Sequence, residues 1–337
     1  MLIRLPVLKT IYLLVASSLF AQPVLSSGKD GEVLLWLDFD GTIATNEAFE
    51  TLALAAYDSM TAEEAAQFPP WSYYGDVYYA EYLDFADNFG PRDNISAEIA
   101  YRSSPALRKV ESDSFDRVSE SGIFEYMQFP ILQKAAAAVT IREGFWKMIA
   151  SSLECDITPR IASLNWSVRW IRQVLREDLK RMRANATAEE RRWLKADLAE
   201  DIAIYCSEIL PDGMVRANKL DFPTRLHTGM DKVELMARFE ADRRGKKEEA
   251  DRVLFFGDST NDLPPLWLEP TTVGVVAGLD SGMNKTLTKF GVELVKVDPE
   301  VKVQDTVGEG FLYQTDEYFA VGSWLTRESC RKRKGHY

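Results

Sequence analysis

Asp38-Phe39-Asp40-Gly41-Thr42 and Gly257-Asp258-Ser259-Thr260-Asn261-Asp262 are the two stretches whose residue types and spacing suit chemistry on a charged substrate. Each sets carboxylates directly after a short apolar run, Val33 to Leu37 in the first case and Val253 to Phe256 in the second. In open α/β sheets, ligands bind just beyond the carboxyl ends of the strands. Alternate residues of an extended chain point to opposite faces, but Gly41 permits a sharp turn through which Asp38 and Asp40 converge. If both loops lie at one sheet edge, Asp38 and Asp258 share a hard cation, with Asp40 adding its backbone carbonyl and Asp262 acting directly or through water. All-oxygen ligands suit Mg2+ better than zinc or copper.

Positioning these loops requires a sheet. Further apolar runs stand at 160–162, 202–205, 273–276 and 292–295, and helical patterns separate most of them. This alternation predicts an α/β fold with a Rossmann-like, largely parallel sheet. Between Asn46 and Val139 no buried strand is legible. Thr61-Ala62-Glu63-Glu64 reads as a capping box, and Tyr78, Tyr82, Phe85 and Phe89 recur at helical spacing. The expected organisation is therefore a targeting segment at 1–31, an α/β core at 32–45 and 140–337, and a helical cap at 46–139. The cap aromatics, with Trp71, Tyr73 and Tyr74, serve packing more often than recognition, although they suit a pocket for a flat group. Val168 to Met182 forms a second amphipathic helix, and another is expected from Thr187 toward Glu200.

Composition removes several classes of function. The chain has 337 residues, 46% of them apolar, and a net charge of −12, which supports a buried core and disfavours nucleic acid or an anionic membrane as partner. Two histidines, His227 and His336, leave no H-E-x-x-H zinc motif and little scope for serine-hydrolase chemistry. Cys155, Cys206 and Cys330 are odd in number and widely spaced, so buried free thiols are expected. Arg4 and Lys9 precede the apolar run Ile11 to Phe20, which is too short for an integral membrane span. It fits a secretory signal, with mitochondrial or cytoplasmic residence as alternatives. Asn94, Asn165, Asn185 and Asn284 head glycosylation sequons, and Asn165 lies where a glycan would obstruct the expected site. The basic stretch Arg331 to Lys334 reads as a mobile tail.

The two acidic loops resemble the first and fourth motifs of the haloacid dehalogenase superfamily. Arg160-Ile161-Ala162-Ser163 resembles the second. Leu164-Asn165-Trp166-Ser167, Ile141 to Phe145 and Thr228 to Lys232 are similar to a branch of uncharacterised fungal hydrolases of that superfamily, and plant thiamine monophosphate phosphatases are more distant relatives in kind. The third motif is a lysine. Lys219 and Lys232 are both candidates, and Lys232 is favoured because it opens a helix carrying Val233, Met236 and Phe239. Pro264-Pro265 departs from the pattern, but proline is tolerated in a first helical turn.

The resemblance implies a Mg2+-dependent phosphatase with a type 1 cap, acting on a small phosphate ester. Asp38 is then the nucleophile and Asp40 the acid and base, while Ser163, Lys232 and N–H groups near Phe39 and Leu164 hold the phosphate oxygens. Thr42 supports the loop, and Asn165 either orients substrate or Ser163, or is purely structural. Asp38, Asp40, Asp258 and Asp262 are the implied metal set. A second aspartate at position 40 favours ester hydrolysis over dehalogenation or ATPase chemistry. Phosphotransfer to a sugar hydroxyl, or phosphate binding without catalysis, are the alternatives.

Overall fold

The computed structural model describes residues 32–217, 225–245, 250–268, 271, 273–297, 312–315 and 318. Seven parallel strands form one sheet in the order β3-β2-β1-β6-β7-β9-β8: β1 (Glu32–Leu37), β2 (Pro159–Ala162), β3 (Ala203–Tyr205), β6 (Ala250–Gly257), β7 (Val273–Ala277), β8 (Leu294–Lys296) and β9 (Leu312–Thr315). The protein is thus α/β with a Rossmann-like parallel sheet. The apolar runs are continuous because both faces of the sheet are covered. Leu35 and Leu37 of β1 join one cluster with Phe145, Ile149, Trp170 and Val174, and Leu34 and Trp36 join another with Met236, Leu263 and Leu287. Each such side chain contributes roughly 1.5–3 kcal/mol when fully buried.

Helices supply both covers. On the first face lie α7 (Phe145–Glu154) and α8 (Val168–Asn185), the latter capped by Ser167, whose hydroxyl accepts the Trp170 N–H. On the second lie α10 (Gly229–Gly245), α11 (Leu263–Trp267) and α12 (Gly282–Lys289). Helix α8 buries a face wider than a single stripe: Trp170, Val174 and Asp178 are buried beside Ile171, Leu175 and Leu179, whereas Met182 is exposed. The buried Asp178 carboxylate accepts the Trp146 indole N–H at 2.6 Å, so this helix couples to α7 through a polar as well as an apolar contact.

Residues 46–139 contain helices and turns only: α1 (Ala48–Asp58), α2 (Ala62–Ala65), α3 (Trp71–Phe89), α4 (Ile95–Arg102), α5 (Pro105–Glu120), a 3-10 turn (Ile123–Tyr126) and α6 (Phe129–Ala138). The insertion leaves and rejoins the core through adjacent backbone, since the Thr45 N–H donates to the Thr140 carbonyl and the Arg142 N–H to that of Ile43. Tyr82, Phe85 and Phe89 surround Tyr101 of α4 at ring separations of 6.3, 4.9 and 5.1 Å, a packing role for most of the aromatic stripe.

Three expectations are corrected. The helix foreseen from Thr187 toward Glu200 is one turn, α9 (Glu190–Trp193). Its capping bonds form, but Leu194 and Leu198 turn inward to the core, and the Arg172 guanidinium takes the Ala199 and Ile202 carbonyls. Cys155 is disulfide-bonded rather than free; Cys206 is a buried free thiol, and Cys330 lies outside the described residues. The sheet also gains β9, and a hairpin of β4 (Ser207–Ile209) and β5 (Val215–Ala217) stands apart from it. Residues 1–31, Lys219 and 331–334 lie outside the described residues as well. No described helix is long and apolar enough to cross a membrane.

His227, just before α10, is 6% exposed and its ring packs 4.8 Å from that of Phe115. Burial, then the nearby Arg225 and Arg108 charges, lowers its pKa to about 4, against the opposite pull of Asp231 and Asp116. Between pH about 6.5 and about 4 the unfolded chain therefore takes up a proton that the folded imidazole refuses. Stability should be complete above pH 6.5 and fall by up to about 3 kcal/mol as the pH drops to 4. Urea unfolding of wild type and His227→Phe across that range checks this: the variant should lose that part of the slope.

Candidate active site

Strand register brings the functional loops to one edge. Leu37 is level with Ile161 of β2 on one side and Phe256 of β6 on the other, so Asp38, Ser163 and Asp258 all emerge at the same end of the sheet. The chain passes from β1 toward β2 and β3 in one direction, and β6 to β9 extend in the other. The gap between β1 and β6 is thus the switch point at which such sheets bind ligands. The Asp38 N–H donates to the Phe256 carbonyl at 2.8 Å, tying the first loop to the neighbouring strand.

Asp38, Asp258 and Asp262 form one cluster, with a carboxylate oxygen from each lying within 4.8 Å of the others. Lys232, in the first turn of α10 and 1% exposed, donates to Asp38 Oδ1 at 2.6 Å and Asp262 Oδ1 at 2.7 Å. Thr42 Oγ1 donates to Asp258 Oδ1 at 2.8 Å, joining loops 216 residues apart in sequence. Asp262 Oδ2 is occupied by the Ser259 hydroxyl and N–H. Among the described residues no donor reaches the second oxygen of Asp38 or of Asp258. Two glycines make the approach possible. Gly41 has φ +73°, and a Cβ there would lie 2.2 Å from Asp258 Oδ2, while one on Gly257 would lie 2.4 Å from Asp262 Cβ.

The electrostatics are those of a site short of positive charge. Burial, and next the charge of Asp262, holds the Asp38 carboxyl well above its ordinary range despite Lys232. Burial and then Asp262 raise Asp258 to about 7. For Lys232, burial alone would lower the pKa, but Asp262 and Asp38 outweigh it and the ammonium binds its proton more tightly than usual. One ammonium facing three carboxylates leaves a negative excess, and two carboxylate oxygens stand without donors among the described residues. Both features fit a hard divalent cation.

Asp40 stands apart from this cluster. Its Oδ1 accepts the N–H groups of Ala48 and Phe49, at the start of α1, at 2.5 and 3.2 Å, and its Oδ2 accepts from Asn165 Nδ2 at 2.9 Å. Burial raises its pKa, while these three bonds pull the other way. Ser163 is buried and its hydroxyl accepts the Asn165 N–H at 3.1 Å. Leu164 is half-buried. The Phe39 ring is in the core, and its carbonyl accepts the N–H groups of Ile43 and Ala44, closing the turn. Asn165 is 2% exposed. A glycan there is incompatible with the fold, whereas Asn94 and Asn185 are exposed.

Several supporting residues had no role assigned from the sequence, although Arg142 and Asp231 lie in the segments 141–145 and 228–232 singled out there. Arg142 donates from Nε to the Thr42 carbonyl at 2.9 Å and from Nη2 to that of Gly41 at 2.6 Å, and the Tyr318 hydroxyl also donates to the Thr42 carbonyl, at 3.0 Å. Arg142 was within reach, as a lone cation in the segment that closes the insertion. Tyr318 carried no signal. Asp231 accepts from the His227 and Thr228 N–H groups and the Thr228 hydroxyl, setting the start of α10 and so the aim of Lys232. Arg108 from α5 pairs with the same Asp231 at 3.0 Å, and Arg102 of α4 reaches Asn261 Oδ1 at 3.4 Å, so the helical insertion grips both core loops.

No family model and no curated protein matches the sequence. Among solved structures the chain is similar to phosphoserine phosphatase in a phospho-aspartyl intermediate analogue, at 12% identity over 77% of this chain and 91% of that one, with a TM-score of 0.41. It is similar to cytosolic 5'-nucleotidase IIIB bound to cytidine, at 12% identity over 90% and 86% with a TM-score of 0.48. A haloacid dehalogenase-like hydrolase from Burkholderia xenovorans LB400 is also similar, at 12% identity over 88% and 98% with a TM-score of 0.30. The narrower likeness to fungal hydrolases and thiamine monophosphate phosphatases has no counterpart among these matches. Likeness at this level says nothing about activity, which rests on the residues of the chain itself.

Proposed function

We propose that the protein is a Mg2+-dependent phosphatase that hydrolyses a small phosphomonoester through an aspartyl-phosphate on Asp38. The observation that carries this reading is the pairing of two differently held carboxylates. Asp38 sits in a charge cluster with Lys232, Asp258 and Asp262, and Asp40, two residues on, is held outside it by N–H donors. One is equipped to be a nucleophile and the other to exchange a proton.

In the first step a carboxylate oxygen of Asp38 bonds to phosphorus while the bond from phosphorus to the ester oxygen breaks, and Asp40 gives its proton to the departing alkoxide. In the second, water attacks phosphorus and loses a proton to Asp40, the bond to Asp38 breaks, and phosphate leaves. Lys232 holds Asp38 in place and offsets charge on the transferring group. Ser163 and the N–H groups near Phe39 and Leu164 are the proposed partners of its equatorial oxygens. Asp38 and Asp258, with Asp262 and the Asp40 carbonyl completing the set, are the residues that would hold Mg2+. The ion supplies the positive charge an anionic nucleophile needs to approach an anionic phosphate.

The leaving group is proposed to be small and flat or apolar, because Phe49 and Trp71 pack their half-buried rings against Trp166, next to Asn165. Entry to the secretory pathway suits the disulfide at Cys155, since such bonds persist in oxidising compartments. The test is phosphate release by purified protein from thiamine monophosphate, phosphoserine, sugar phosphates and nucleotides. EDTA should cut the rate on the best substrate at least about 100-fold and Mg2+ should restore it. Undiminished release in EDTA would remove the metal from the reading, and phosphate appearing on a second sugar hydroxyl instead of in solution would make the protein a mutase.

A further inference from the structure

We propose that Asn165 is a positioning residue for Asp40, fixing the oxygen through which Asp40 exchanges its proton, and that it makes no contact with the phosphate. The inference rests on the phosphatase reading above and deepens it.

Hydrogen-bond counting settles the orientation. The Trp166 N–H donates to Asn165 Oδ1 at 2.8 Å, so the oxygen of that amide is committed to the backbone and Nδ2 must face Asp40. Both ends of the amide are already engaged, Oδ1 by the Trp166 N–H and Nδ2 by Asp40, and the residue is 2% exposed. On the other partner, Asp40 Oδ1 accepts two N–H groups, from Ala48 and Phe49, which use both of its lone pairs. Oδ2 accepts one bond, from Asn165, and keeps one lone pair. That lone pair is where a transferable proton can reside.

The same geometry states what is lost without the amide. Helix α1 pins one oxygen only, and the carboxylate is then free to swing about that anchor. Proton transfer needs donor and acceptor within hydrogen-bond reach and aligned, so a swing of an ångström lowers the rate without emptying the site. Asn165 also links the acid to the phosphate side of the pocket, since its own N–H donates to Ser163 Oγ at 3.1 Å.

The experiment compares kcat/KM for p-nitrophenyl phosphate, whose leaving group needs little protonation, with that for glycerol phosphate, whose alkoxide needs a proton. In Asn165→Ala the aryl-to-alkyl ratio should rise by about 100-fold, as it should in Asp40→Asn. The double variant should lose no more than Asp40→Asn alone. Affinity for beryllofluoride with Mg2+ should stay within about threefold of wild type. Equal losses on both substrates, or a tenfold weaker beryllofluoride complex, would overturn the inference in favour of a structural or phosphate-binding role. If Asn165→Ala fails to fold, Asn165→Ser, which keeps a polar group but is too short to span to Asp40, carries the same comparison. Failure of the underlying reading looks different: wild type would then show no Mg2+-dependent hydrolysis, or Asp38→Asn would retain it.

Discussion

Asp38→Asn should lower phosphate release from the best substrate by at least about 10⁴-fold while leaving the protein folded. The amide matches the carboxylate in shape, but its oxygen is a far weaker nucleophile, and attack through it would leave positive charge on the amide. Folding should not suffer. The change removes one of three negative charges that share the single ammonium of Lys232, and burial already holds the Asp38 carboxyl well above its usual range. The melting temperature without metal should therefore equal or exceed that of wild type, and Mg2+ should raise it less. Phosphate release paired with thermal melts checks both halves. Wild-type turnover in the variant excludes an aspartyl-phosphate, whereas a large fall in melting temperature would mean that activity was lost through unfolding.

Lys232→Met should damage stability and turnover together. The ammonium is 1% exposed and bonded to two carboxylates, one of them, on Asp262, 0% exposed. Removing one member of a buried ionic group commonly costs about 3–5 kcal/mol, because the remaining charges are left desolvated and unpaired. Methionine fills most of the volume, so little of this is packing. The deficit should shrink when Mg2+ is present, since a divalent ion relieves the same repulsion, and it should also shrink in Lys232→Met combined with Asp262→Asn. Urea unfolding with and without Mg2+ reads these differences. Turnover should fall by about 10³-fold even under saturating Mg2+, because charge on the transferring group loses a fixed partner. Stability equal to wild type in EDTA would show that the carboxylates are not held as an ionised group.

Strands buried on both faces, such as Leu34 to Leu37 and Val253 to Phe256, were legible because every residue in them is apolar. The strand next to the sheet edge was not. Leu312 to Thr315 mixes Tyr, Gln and Thr and has no such run, and it is recruited only because β7 and β8 flank it. Thr187 and Glu190 exchange hydrogen bonds of the capping kind, yet the helix that follows, Glu190 to Trp193, stops after one turn, where Leu194 buries itself in the core. Local signals place an element's beginning, and tertiary burial decides its length. In the site, the acids and Lys232 could be named from motif and spacing, whereas the role of Asn165 stayed open between substrate, Ser163 and structure, and its bond to Asp40 is a product of the fold.

Read alone, the amino-acid sequence determined the chemistry on offer: oxygen ligands at two strand ends, a glycine after the first pair of acids, a lysine opening a helix, and no histidine or thiol set to compete with them. Only the tertiary structure decided partnership. The strand order sets β1 beside β6, and that adjacency lets Thr42 reach Asp258 and lets Lys232 stand between Asp38 and Asp262. The physical reason is that residue type fixes which groups can carry charge or a proton, whereas the strength of their interactions depends on distances of a few ångströms and on removal from water. Both are properties of the packed chain.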